Sequence, residues 1–73
     1  MHLGEAKVGE ILEIVSFPEG DVKSQGIRFG IDSGENIYVA QVFKNGPIVI
    51  RKSNQEIAIG RKLAEKIEVR KGR

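Results

Sequence analysis

Between Gly34 and Gly60 the chain reads GENIYVAQVFKNGPIVIRKSNQEIAIG. Apolar residues recur there with a period of two, broken twice by turn residues. The pattern predicts three consecutive strands, over residues 36–44, 47–52 and 55–59. Asn45-Gly46 predicts a type I′ turn, because both residues tolerate the positive φ that it demands. Ser53-Asn54 makes the second turn. Pro47 has no N–H to donate and belongs at the start of its strand. Ile48 and Ile50, like Ile57 and Ile59, alternate inward, while Val49, Arg51, Glu56 and Ala58 point the other way. In the first of these strands Ile37, Val39 and Phe43 share one face, with Gln41 interrupting, and Tyr38, Ala40 and Val42 share the other. Apolar residues on both faces predict a curved strand between two packed layers. Were residues 47–52 an edge, Pro47 and the charges of Arg51 and Lys52 would blunt it.

The flanking segments must cover this meander. Leu3 and Ala6, three apart, predict one helical turn facing the core. Residues 10–16 (EILEIVS) predict a strand with Leu12 and Ile14 on one face. Ile11 and Val15 on its other face imply a second cover or a bulge. Residues 21–29 (DVKSQGIRF) predict a short helix. Asp21 would cap it, Val22, Gly26 and Phe29 would share a face, and Gly30 would end it. Residues 60–66 predict a helical turn and 67–70 a last strand with Ile67 and Val69 inward. The sum is a single, mainly β domain over residues 1–73: a small five-stranded barrel, partly open, with one short helix between the first two strands.

Composition sharpens this picture in three ways. The chain has 73 residues and no cysteine, so neither a disulfide nor a thiolate metal site supports the core. No apolar run approaches the ~18–20 residues of a membrane span, and no leader-like segment opens the chain, so a cytoplasmic protein without membrane insertion is expected. The net charge of +2 hides an asymmetry. Residues 1–36 carry three Lys/Arg against seven Asp/Glu, net −4; residues 37–73 carry nine against three, net +6.

Catalytic chemistry finds little to work with. The single histidine, His2, is too close to a fraying terminus to serve any of the serines as a base. A metal site would have to use His2 with Glu5 or Glu10, or carboxylates alone; His2 and Glu5 have helical spacing for it, but a solvated terminus is the ordinary reading. No enzyme, metal or cofactor is indicated. Arg51, Lys52, Arg61, Lys62, Lys66 and Arg70 could track a phosphate backbone. Base stacking needs aromatics beside them, however. Phe17, Phe29 and Phe43 are assigned to the core, which leaves Tyr38 alone and disfavours nucleic acid as a partner.

Several pieces fall in a familiar order: Leu3 and Gly9 before the first strand, Phe29-Gly30-Ile31 with Gly34 beyond, Gly46-Pro47-Ile48, Ile57-Ala58-Ile59, then Ala64-Glu65-Lys66-Ile67-Glu68-Val69. Together they resemble the FeoA (ferrous iron transport protein A) family over nearly the whole chain. At Gln25 and Gly26 the family usually has Arg-Leu. The resemblance implies an SH3-like barrel and a cytosolic, non-enzymatic accessory. It would dock on the FeoB-type ferrous iron permease or its GTP-binding domain and modulate transport. A small basic barrel binding nucleic acid is the alternative. The expected partner surface is Arg28 and Tyr38, with Arg51 and Lys52 as its charged rim.

Overall fold

The computed structural model describes residues 1–18 and 31–72. A 3₁₀ turn, Leu3–Glu5, is followed by β1 (Ile11–Ser16), β2 (Asn36–Val42), β3 (Ile48–Lys52), β4 (Gln55–Ile59), the helix α1 (Arg61–Ala64) and β5 (Glu68–Lys71). The strands form one antiparallel sheet in the order β4-β3-β2-β1-β5. Residues 1–3 extend it beyond β5: Leu3 N–H donates to Ile67 O at 2.9 Å, and Val69 N–H to Met1 O at 2.8 Å. The architecture is mainly β, an SH3-like five-stranded barrel. The helix expected over residues 21–29 lies outside the described residues, as do Gln25 and Gly26.

The core follows from the period-two pattern. Leu12 and Ile14 from β1, Ile37 and Val39 from β2, and Ile48 and Ile50 from β3 are buried against Ile59, Ile67 and Val69. The 3₁₀ turn adds Leu3 and Ala6, as their spacing predicts. Each large aliphatic side chain so buried contributes about 1.5–3 kcal/mol of transfer free energy. No polar or charged residue is buried among those described.

Two bulges set which side chains face out. Val15 is an extra residue between the pairs Ile14↔Val69 and Ser16↔Glu68, so it turns outward. Ala40 is the extra residue between Val39↔Ile50 and Gln41↔Val49. That second bulge shifts the phase of β2, because one added residue moves every later side chain to the other face. Val42 packs against the core, and Phe43, expected inside, is 49% exposed.

Two other expectations are corrected, and one alternative is settled. Asn45 has φ 58° but Gly46 does not share the positive φ of a type I′ turn; the loop is closed by Gly46 N–H donating to Phe43 O at 2.9 Å. Residues 47–52 are not an edge, since β3 lies between β2 and β4. For the second apolar face of β1 the structure has the bulge, at Val15, and not the second cover: Ile11 and Val15 are 44% and 41% exposed.

Candidate interaction surface

The outer face of the sheet carries one row of side chains assembled from four strands. Ile11 in β1 lies opposite Tyr38 in β2, Tyr38 opposite Arg51 in β3, and Arg51 opposite Glu56 in β4. Directly opposed residues sit within side-chain reach, so register alone brings these four together. The Arg51 guanidinium lies 5.5 Å from the Tyr38 ring centre, within cation–π range. Its Nη2 donates to Glu56 Oε2 at 2.6 Å and its Nε to the same oxygen at 3.2 Å. That hydrogen bond, and then the charge of Glu56, hold the Arg51 proton more tightly than usual. The row thus runs from an aliphatic end, through an aromatic ring, to a fixed ion pair. Such a face suits binding by shape and apolar contact, with a cation whose direction is preset.

The expected partner residues separate accordingly. Tyr38 and Arg51 are brought together. Lys52 is set apart: it follows Arg51 by one residue, is half-buried, and its Nζ meets Glu35 Oε2 at 3.4 Å. Arg28 lies outside the described residues. Two members of the row, Ile11 and Glu56, carried no expected role. Glu56 was readable, because a two-residue turn at Ser53-Asn54 forces Arg51 and Glu56 to pair. Ile11 was not, because it depends on how β1 aligns with a strand 25 residues away.

The basic residues considered for phosphate tracking are largely engaged. Arg51 is tied to Glu56, Lys52 to Glu35, and Arg70 Nη2 to Glu13 Oε2 at 3.2 Å. Arg61 is a clamp. Its Nη2 donates to Phe43 O at 2.6 Å, its Nη1 to Gly4 O at 2.8 Å and its Nε to Gly46 O at 3.0 Å. One guanidinium thereby joins the helix, the β2–β3 loop and the N-terminal turn. The His2 and Glu5 pair is not a metal centre in form. Glu5 Oε1 accepts the His2 backbone N–H at 3.0 Å and lies 3.8 Å from His2 Nε2. Among the described residues no three His, Cys, Asp or Glu side chains could jointly hold a metal ion, and no helix is long and apolar enough to cross a membrane.

Fold and surface together define a small SH3-like β-barrel domain. A family model, the FeoA domain, matches residues 1–71, and the chain belongs to the FeoA family. It is thus a small accessory protein of ferrous iron uptake. Its structure is similar to the crystal structure of an iron uptake regulatory protein (FeoA), with a TM-score of 0.84 at 30% identity, covering 97% of this chain and 96% of that one. It is also similar to the solution NMR structure of FeoA from Chlorobium tepidum, with a TM-score of 0.87 at 27% identity over 97% and 70% of the two chains. A FeoA-like protein from Clostridium acetobutylicum shares the fold, with a TM-score of 0.78 at 22% identity over 97% and 85%. No curated protein sequence matches the chain.

Proposed function

We propose that this protein is a cytosolic, non-enzymatic module that docks on a FeoB-type ferrous iron permease, or on its GTP-binding domain, and modulates iron uptake. The observation that carries this reading is the family match over residues 1–71. The likeness to an iron uptake regulatory protein over 97% of this chain supports it. The docking surface is the outer sheet face, centred on Ile11, Tyr38 and Arg51. Ile11 and Tyr38 are 44% and 38% exposed and adjacent, the combination of aliphatic and aromatic groups with a neighbouring arginine that favours protein interfaces.

The test is an amide NMR titration of the labelled protein with the soluble GTP-binding domain of the cognate permease, with a single-stranded oligonucleotide as parallel titrant. Shifts confined to β1, β2 and β3 around Ile11, Tyr38 and Arg51 are expected with the domain alone. Tyr38→Ala should weaken binding by about 1–2 kcal/mol, as for a moderately buried interface aromatic. Shifts elsewhere, or with the oligonucleotide only, would defeat the assignment.

A further inference from the structure

We propose that one end of the barrel is a peripheral docking surface for an anionic lipid membrane. It is the end where β1 begins and β2 finishes. Two turns meet there. The 7–10 turn is fastened to β2: Gly9 N–H donates to Val39 O at 2.8 Å and Val39 N–H to Glu10 O at 2.9 Å. The 43–47 loop carries β2 into β3. Each turn presents an apolar side chain next to a lysine, Lys7-Val8 in one and Phe43-Lys44 in the other. Val8 and Phe43, at 60% and 49%, are the most exposed large apolar residues of those described. A lone exposed apolar residue is ordinary; two at one end, each flanked by a lysine, form an amphipathic surface.

Three lysines gather at this end. Lys62 joins it through its neighbour Arg61, which is fastened to Phe43 O and Gly46 O. Lys7, Lys44 and Lys62 are exposed, and none pairs with a carboxylate among the described residues. Of the nearby acids, Glu10 Oε1 accepts the Lys7 N–H at 2.7 Å and Glu5 Oε1 the His2 N–H at 3.0 Å, while Glu65, three residues past Lys62, is exposed beside Gly4. At the opposite end Asp32 and Glu35 flank the 32–35 turn, and Lys52 is spent on Glu35. This end therefore presents three lysines without a carboxylate partner around two apolar tips.

The chemistry that fits is a surface whose outer layer is anionic and whose next layer is hydrocarbon. Lysines meet the headgroups, while Phe43 and Val8 enter the boundary below them. The two apolar side chains stand exposed on separate turns, which suits a broad surface rather than a peptide that asks for a groove. One exposed phenyl ring is too little for a nucleic acid, which asks for successive stacked bases. The sheet face of the row Ile11–Tyr38–Arg51–Glu56 stays open in this pose, and the proposal does not depend on the permease reading.

The experiment is co-sedimentation of the full chain with vesicles of phosphatidylcholine alone, and of phosphatidylcholine with one third phosphatidylglycerol. Binding only to the anionic vesicles is expected, falling as salt rises. Each lysine should count for about fivefold in partitioning, so Lys7→Gln with Lys44→Gln should lower it about 25-fold. Phe43→Ser should lower it at high as well as low salt. The control, Ser33→Asp with Ser53→Asp, changes net charge equally at the opposite end and should have little effect. Thermal melts confirm that each variant is folded. No binding to anionic vesicles overturns the proposal. So does an equal loss in the control, which would mean net charge alone, and so does binding to an oligonucleotide, but not to vesicles, through the same residues.

Discussion

Arg61 offers the sharpest test of how the fold is held together. Replacing it by Met keeps the aliphatic stem and removes the guanidinium from three carbonyls, Phe43 O, Gly4 O and Gly46 O. At about 1 kcal/mol net per hydrogen bond the loss is about 3 kcal/mol. Two effects reduce it. The Phe43 carbonyl end of the clamp is exposed, so water replaces part of that bond. A cation in the first turn of a helix also opposes the helix dipole, and its removal returns about 0.5 kcal/mol. The expected cost is about 2 kcal/mol, a large share of the ~3–5 kcal/mol available to a domain of this size. Arg61→Lys should recover no more than about 1 kcal/mol, because an ammonium cannot reach three divergent oxygens. Lys62→Met, next along the helix and exposed, should stay within about 0.5 kcal/mol of the parent. Urea unfolding followed by far-ultraviolet circular dichroism reads all three, with the slope unchanged if the native state stays compact. A cost below about 0.5 kcal/mol for Arg61→Met, or equal costs for Arg61→Met and Lys62→Met, would refute the clamp.

Ile50 is fully buried in β3, an interior strand, so Ile50→Ala should destabilise by about 2–5 kcal/mol in the same urea assay, while Ala58→Ser on the outer face of the neighbouring strand should be near neutral. Gly9 has φ 94° with open space where a Cβ would go, so Gly9→Ala should cost about 1–2 kcal/mol through backbone strain alone; a neutral result in thermal melts would contradict that conformation. Ser53 sits at φ 56° without being glycine, and Ser53→Asn should raise the melting temperature by a few degrees, about 0.5 kcal/mol, since asparagine tolerates this region better.

Much of the barrel was legible because local signals agreed. The strand over Gln55–Ile59 falls on the expected residues, and the others differ only at their ends, because alternation and turn residues mark the same boundaries. The misplaced Phe43 has a specific cause. Nothing local distinguishes a bulge at Ala40 from regular pairing; the sheet partner decides it, and Gln41, a polar residue in the inward set, was its only trace. The Asn45-Gly46 turn was recognised but mistyped, since Lys44 and the hydrogen bond to Phe43 O make the loop longer than two residues. In the interaction surface, Arg51 and Tyr38 were visible as an exposed cation and an uncommitted aromatic. Lys52 was grouped with Arg51 by adjacency, whereas strand neighbours point to opposite faces. The three-way grip of Arg61 joins segments 15 and 57 residues apart and left no local mark.

Residues 1–3 are hydrogen-bonded to Ile67 and Val69, beside the strand that pairs with β1. The seam of the barrel therefore joins the earliest-made and latest-made parts of this domain. During synthesis, β1 to β4 can gather their meander while the seam stands open. Leu3, Leu12 and Ile14 lack their Ile67 and Val69 partners until those residues clear the ribosomal tunnel. Closure is thus the final, long-range step of folding, and the half-built barrel presents its apolar interior to whatever meets the nascent chain first.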